Sequence, residues 1–411
     1  MTGAEAAGFM LMEQSARASG RAYAGEAAMA DNASVLFFNP AGMTRLQGPV
    51  VEGGAYVIMP KARLSDQGST MTVGPFPAMP VGGADNGQGF SAQPVGSFYG
   101  AMPVTRDLWV GLAVTVPFGL KNKYDTDYFG RYDSTSSKVL AIDVAPTVAY
   151  RVNEYWSIGG AVNFQRAEAT LVNALPNPLA PEGIGPDSDG RFTVDGSDWT
   201  IGFTAGILLQ VTDEMRVGVS YRSAISHRLT GTATTELGGM VAPQGVAADL
   251  DLPDTLSVAV AYELTPRLTF MTQFNYHGWD RFEEVRLELE DGSELATAEN
   301  FRNTWGVAAG VEIVTNERWS LRFGAAYDRT PTRDEFRSTR IPDASRIWGS
   351  LGATYNVNDW AAIDLSYARM FAKTVPVNRT NDFAALATTV ETMASGRVSS
   401  NVVGVMFRGT F

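Results

Sequence analysis

The sequence predicts an all-β fold: a 14-stranded antiparallel transmembrane β-barrel with an N-terminal plug, or hatch, inside its lumen. The first observation behind this is a rhythm of connections. Six very short turns, Thr105–Asp107, Asn153–Tyr155, Thr212–Glu214, Thr265–Arg267, Thr315–Glu317 and Asn358–Asp359, alternate with long polar stretches, as in outer-membrane barrels. The second is period-two alternation. Leu256, Val258, Val260 and Tyr262 share one face of a segment, and Thr255, Ser257, Ala259 and Ala261 share the other. Alternation fits a soluble sandwich as well as a lipid-bathed barrel, in which the oily face points outward. The third observation favours the barrel: Trp109, Tyr155, Trp156, Trp319 and Trp360 flank the short turns, where an interfacial girdle lies, and several segments reach the roughly 9 to 11 residues of a tilted membrane strand.

Residues 1–46 show no strand alternation and are rich in Ala and Gly. A barrel this wide leaks unless it is filled, so this stretch is assigned as the plug, with Glu13, Arg17, Arg21, Glu26 and Asp31 available to pair with charges on the wall. Within it, Ala4-Glu5-Ala6 has the small-x-small form of a cleavage site, so residues 1–6 read as a signal or cloning remnant, or as an ordinary Ala-rich tail, with function starting near Ala7. The barrel takes 47–411. Its strands are expected near 49–59, 94–104, 108–120, 138–152, 156–172, 197–211, 215–231, 253–264, 267–290, 297–314, 318–330, 345–357, 360–372 and 397–411, an even number as closure requires. The short turns then face the periplasm. The connections 60–93, 121–137, 173–196, 232–252, 331–344 and 373–396 face outward. The last segment alternates through Val403, Val405 and Phe407 to the terminal Phe411.

Composition narrows the function. The 411 residues carry a net charge of −12 and a pI near 4.8, which argues against nucleic-acid binding. No stretch approaches the ~18 uninterrupted apolar residues of a membrane helix, so any span is made of strands. With no Cys and only two His, no metal site or cofactor is expected. His227 and His277 lie in no Ser/His spacing motif and read as girdle or loop residues, so no enzymatic activity is expected.

Ala7-Gly8-Phe9, Gly20-Arg21-Ala22-Tyr23-Ala24-Gly25-Glu26, Ala30-Asp31 and Asn39-Pro40-Ala41, then Tyr221-Arg222-Ser223, Leu252-Pro253, Ile341-Pro342-Asp343 and Phe411, resemble in order and spacing the FadL family of outer-membrane long-chain fatty-acid transporters. The resemblance covers essentially the whole chain. It implies passive uptake across the bacterial outer membrane: ligand is caught in an apolar groove between the outer loops after strands five and seven, moves to a pocket near the plug's N-terminus, and leaves sideways into membrane lipid through a kink in strand three. It implies a hydrophobic small-molecule partner, no energy source and, by default, a monomer. Carriers of aromatic or other small neutral hydrocarbons in the same family are the alternative, and the predicted plug speaks against a porin.

The residues add their own reading. Strand three contains Val116-Pro117-Phe118-Gly119, and a proline cannot donate to the ladder that a closed barrel requires. A lateral gate is one reading and an ordinary strand end the other; Pro103 and Pro146 show that a strand proline alone is not diagnostic. The outer loops hold Leu175, Leu179, Met240 and Val241, which form either a groove or a small core of their own. Of the inward arginines, Arg302 is the preferred partner for a carboxylate, while Arg222 and Arg346 are also placed in the lumen, where neutralising wall or plug acids is the simpler role. Asn173 stands where the family pattern has another basic residue. Asn39, Pro40 and Ala41 are expected to fix the plug to the wall, and Phe9 to touch ligand.

Overall fold

In the computed structural model, which describes residues 8–411, the chain forms a closed antiparallel barrel. Residues 1–7, including Ala4-Glu5-Ala6 and Ala7, lie outside the described part. The wall strands are β1 (Val50–Asp66), β2 (Gln93–Pro103), β3 (Leu108–Lys123), β4 (Ser136–Arg151), β5 (Trp156–Leu175), β6 (Gly190–Gln210), β7 (Met215–Arg222, resuming as Ile225–Leu237), β8 (Met240–Leu252, resuming as Thr255–Thr265), β9 (Leu268–His277), β10 (Thr304–Val314), β11 (Trp319–Asp328), β12 (Arg346–Asn356), β13 (Ala361–Ala372, resuming as Val375–Phe383) and β14 (Thr388–Thr410). Each pairs with its chain neighbour, and β14 closes the ring on β1 from Val50 opposite Thr410 to Asp66 opposite Ala394.

The oily faces point outward. Leu256, Val258 and Tyr262 are exposed, whereas Ala259 and Ala261 are buried; Phe323 and Leu365 are exposed, whereas Arg322 and Asp364 are buried. A soluble sandwich would reverse this, so the alternation belongs to a wall bathed in lipid. Tyr155, Trp156, Trp319 and Trp360 also face outward. Trp109 does not: its ring is buried inside the barrel in the cluster that holds Leu36 and Met43, because a partner existed in the lumen that the turn-side position did not reveal.

Side-chain capping explains the short turns. Thr105, Asn153, Thr212, Thr265, Asn316 and Asn358 each accept backbone N–H bonds from residues two or three further on, such as Tyr155 N and Trp156 N to Asn153 Oδ1 at 2.9 and 2.8 Å. Asn and Thr favour this self-capped geometry. Several expected boundaries differ: β1 runs on to Asp66, β10 begins at Thr304, and most of the expected connection 373–396 is strand, in Val375–Phe383 and in β14 from Thr388. The stretch 232–252 is a continuation of β7 and β8, turned at Gly238 and Gly239, both at positive φ, as a two-residue hairpin demands. The expected 267–290 strand instead ends at His277, and a short hairpin, Glu284–Leu289 with Glu294–Ala298, covers the outer mouth.

The N-terminal segment fills the lumen with two single-turn helices, α1 (Ala16–Ser19) and α2 (Val35–Phe38), and a 3-10 turn over Pro40–Arg45. Buried charges seat it. Arg17 reaches Asp31 at 2.6 Å and Glu312 of β10 at 2.7 Å, Arg21 reaches Glu26 at 2.7 Å, and Arg322 of β11 joins Glu312 at 3.0 Å. Removing one member of such a buried set typically costs about 3 to 5 kcal/mol, because its partner is left unpaired. The plug backbone also lies directly on the wall. A Cβ at Gly218 would fall 1.7 Å from the Ala27 carbonyl oxygen, and one at Gly206 2.0 Å from Asn39 Oδ1, so only glycine fits these strand interiors.

Candidate functional site

The site begins where β3 leaves the wall. From Phe98 opposite Val114 down to Pro103 opposite Trp109, β3 pairs with β2; beyond Val114 that ladder stops among the described residues. On its other side β3 slips against β4 between Thr115 and Phe118, with Asp143 and Ala141 as the flanking partners. Three steps along β3 match two along β4, which is a bulge of one residue. Its centre is Val116-Pro117, and the alternation of exposed and buried residues gives way to unbroken burial from Thr115 to Leu120. Both faces of the strand have turned inside.

The plug's first residues take the place of β2. Leu11 N donates to Pro117 O at 2.7 Å, Gly119 N donates to Phe9 O at 2.9 Å, and Met10 and Phe118 form an antiparallel bridge. Gln14 acts as a surrogate peptide: its Nε2 donates to Val116 O at 2.7 Å and its Oε1 accepts from Val116 N at 3.3 Å. Pro117, with no N–H, leaves no donor stranded at the bulge.

Above this contact lies an apolar cavity of about 690 Å³, its open mouth included, lined by Phe9, Leu120, Val139, Leu229, Phe282 and Ile341 among others. Phe9 is almost fully buried and packs with Trp279, Phe282 and Phe118 at centroid distances of 5.0, 5.6 and 6.1 Å. One side chain therefore forms part of the cavity wall and touches the bulge.

Among the described residues, the only cation lining this cavity is Arg340, from the loop between β11 and β12. Its Nη1 donates to Ser137 Oγ at 2.8 Å and its Nη2 to Asp133 O at 2.7 Å. Burial pulls its pKa down, against the opposing attraction of Asp133 and Glu299. Arg302, the expected head-group partner, is elsewhere. β10 begins only at Thr304, so strand alternation does not reach Arg302. It packs on the β11–β12 loop, with Nε donating to Thr330 O at 3.3 Å, and burial followed by the nearby Arg329 and Arg333 lowers its pKa. Arg222 pairs with Asp143, and Arg346 with Asp343 at 2.8 Å, the neutralising role. Arg340 carried no signal beyond its place beside Ile341-Pro342-Asp343, since a loop residue has no face to predict.

Further out, a second groove opens between the tips of β5–β6 and β7–β8. Met240 and Val241 line it with Asn173, Tyr124 and Lys123. Leu175 and Leu179 do not. Leu175 is held in the β5–β6 hairpin opposite Gly190, and Leu179 stands on the loop crest, 90% exposed. Both histidines are buried rather than at a girdle or in a loop: His227 lies between Asp198 and Gln165, and His277 against Thr255.

Asn39-Pro40-Ala41 is a wall contact. Asn39 Nδ2 donates to Ala27 O and, at 3.0 Å, to Ile207 O of β6, while its Oδ1 accepts from Ala41 N. Pro40 opens the 3-10 turn, where a missing N–H costs nothing.

Residues 1–411 match the family model described as outer membrane protein transport protein (OMPP1/FadL/TodX). The chain belongs to this family of outer-membrane transport proteins. Outer membrane protein P1 of Haemophilus influenzae is 32% identical over 406 residues, covering 91% of this chain and 88% of that protein. A long-chain fatty acid transport protein of Salmonella typhi is 28% identical over 404 residues, covering 92% and 90%. Among solved structures, a Pseudomonas aeruginosa FadL homologue superposes with a TM-score of 0.88 at 23% identity over 98% of this chain and all of the other, and the Pseudomonas putida toluene transporter TodX with 0.73 at 16% over 96% and 98%. At such identities the two structures establish the fold alone. The FadL-family chain is thus an outer-membrane transporter of hydrophobic compounds built as a plugged barrel.

Proposed function

We propose that this transporter takes up long-chain fatty acids passively: the groove at Met240 and Val241 captures them, the cavity above Phe9 holds them, and the interruption between β2 and β3 releases them sideways into lipid. The observation that carries this reading is the double role of Phe9, whose ring borders the cavity while its carbonyl accepts from Gly119 in the bulged strand. A ligand that shifts Phe9 disturbs one of the plug pairings that replace β2 along this stretch of β3. Arg340, the cation in a wall that is apolar apart from it, Asp195 and Asp249, suits a carboxylate, and the Salmonella typhi relative carries a fatty-acid name.

A second reading, uptake of neutral aromatic hydrocarbons, rests on Asp195 and Asp249, which also line the cavity and repel an anionic head. Side-by-side binding of oleate and toluene to the detergent-folded protein separates the two. Tight oleate binding that weakens in Arg340→Gln supports the fatty acid. Preference for toluene, with no effect of the substitution, supports the hydrocarbon.

A further inference from the structure

We propose that the lipid-facing wall of β13, β14 and β1 carries a binding patch for the phosphate groups of an anionic glycolipid of the outer leaflet. The strand register gives its place on the wall. Tyr276 lies opposite Trp305, Tyr327 opposite Ile347, and Ile347 opposite Phe371, all facing outward at the outer ends of β9 to β13. This row is the outer aromatic girdle, the level where hydrocarbon gives way to headgroups. The register continues from Phe371 to Ser399 of β14 and from Ser399 to Lys61 of β1.

Lys61 lies in the outer part of β1, on the register row of Phe371 and Ser399, with cations on either side of it. One row further out, Arg63 and Arg397 face each other directly across the β1–β14 pair, an arrangement that repels unless an anion lies between the two. One row further in, Arg369 lies opposite Asn401, and its Nη1 donates to Asn401 Oδ1 at 2.8 Å, an oxygen that also accepts from the Tyr367 hydroxyl. Lys373 follows two residues after Phe371 and is exposed.

None of these five cations forms an ion pair among the described residues; some exposed cations elsewhere do pair, while others, such as Arg106, Lys121 and Arg267, do not. Lys138 and Arg166 pair with Glu168, Arg228 pairs with Asp249 and Glu288, and Arg286 pairs with Glu284 and Glu294. In a chain of net charge −12, acids to cancel this cluster were abundant. With strands about 4.8 Å apart and same-face rows about 6.8 Å apart, the patch measures roughly 10 by 14 Å, enough for more than one phosphate. A lipid fits better than a free anion because apolar surface is interleaved with the charge: the Arg369 guanidinium lies 5.4 Å over the Phe371 ring, and Tyr367 flanks it.

The test is retention of bis-phosphorylated lipid A by the whole, detergent-extracted protein, read by native mass spectrometry and by affinity in nanodiscs. Wild type should bind it, and the combined Lys61→Gln, Arg63→Gln, Arg397→Gln variant should bind about a hundredfold more weakly. Dephosphorylated lipid A should bind wild type as weakly as the variant binds lipid A, and inorganic phosphate at equal concentration should not compete. Arg228→Gln with Arg286→Gln removes two exposed cations outside the patch and should leave binding unchanged. Heat-modifiable gel mobility checks that each barrel is closed. Equal binding of the dephosphorylated lipid, undiminished binding by the triple variant, or an equal loss in the control variant would each overturn the proposal; competition by inorganic phosphate would reduce the patch to a general anion site and overturn its assignment to lipid.

Discussion

Replacing Pro117 by valine tests the release route at its narrowest point. Valine restores an N–H and frees φ, so β3 gains the option of running straight and meeting β2 beyond the point where Phe98 faces Val114. Continued register would set Ser97 opposite Thr115 and extend towards Gln93, where β2 begins. About four new ladder bonds are available at roughly 0.5 to 1.5 kcal/mol net each. Against them stand the bonds that a straight strand would surrender: Leu11 N to Pro117 O, Gly119 N to Phe9 O, and the Gln14 amide on Val116. Four bonds gained against four surrendered nearly cancel, so the net shift towards a closed wall comes from the restored N–H, about 0.5 to 1.5 kcal/mol, or roughly 2- to 12-fold fewer open barrels. The assay is uptake of labelled oleate by cells, with binding to purified protein measured in parallel. Uptake should fall about threefold or more while the cavity's affinity is unchanged. Unchanged uptake would remove the β2–β3 interruption from the transport route.

Other perturbations follow the same geometry. Arg340→Gln should weaken oleate binding by about tenfold, the loss of one charge-assisted contact, and leave toluene untouched; Arg302→Ala should do neither, as isothermal titration would show. Phe9→Ala removes the ring shared by cavity and bulge, and should cost about 3 kcal/mol or more in packing, read as a lower melting temperature together with altered oleate binding. Gly206→Val drives a side chain into Asn39, so the plug should lose its seat on β6 and liposomes carrying the variant should leak small polar solutes. Glu13, buried in the plug without a hydrogen-bond partner for either oxygen among the described residues, has its pKa pushed by burial up to about 8. Its folded-state pKa is raised, so the stability it contributes is complete below the unfolded value near 4.5 and is lost as pH rises through 8. Glu13→Gln should flatten that part of the pH dependence of thermal unfolding in detergent, and an unchanged slope would count against the assignment.

Much of the barrel was readable because its elements are local. Alternation at Leu256 to Tyr262 needs only a strand and a lipid neighbour, and Asn153 or Asn358 caps its turn with its own side chain. The misplacements share a cause in long-range contact. Trp109 has the local setting of a girdle residue but finds Leu36 and Met43 in the lumen. The β7–β8 extension depends on Gly238-Gly239 serving as a hairpin turn between partners as distant as Ile225 and Leu252, and the inward glycines on the wall are docking points for a plug backbone that is remote in sequence. In the site, Pro117 was legible because a missing N–H has consequences wherever it stands. Arg340 was not, because a loop side chain gains its direction only from what it packs against.

The sequence by itself determined that the chain crosses a membrane in strands and pointed to a lumen filled by its own N-terminus, while at Pro117 it left a lateral gate and an ordinary strand end both open. These follow from the period of two, from the turn residues and from proline chemistry, each acting within a few positions. Only the tertiary structure decided that Phe9 to Leu11 and Gln14 stand in for the missing neighbour of β3, that Phe9 joins the cavity to the bulge, and that Lys61, Arg63 and Arg397 converge on one lipid-facing patch. Those residues lie on strands and segments far apart in the chain, and barrel closure, which sets the register of β14 on β1, is what brings them together.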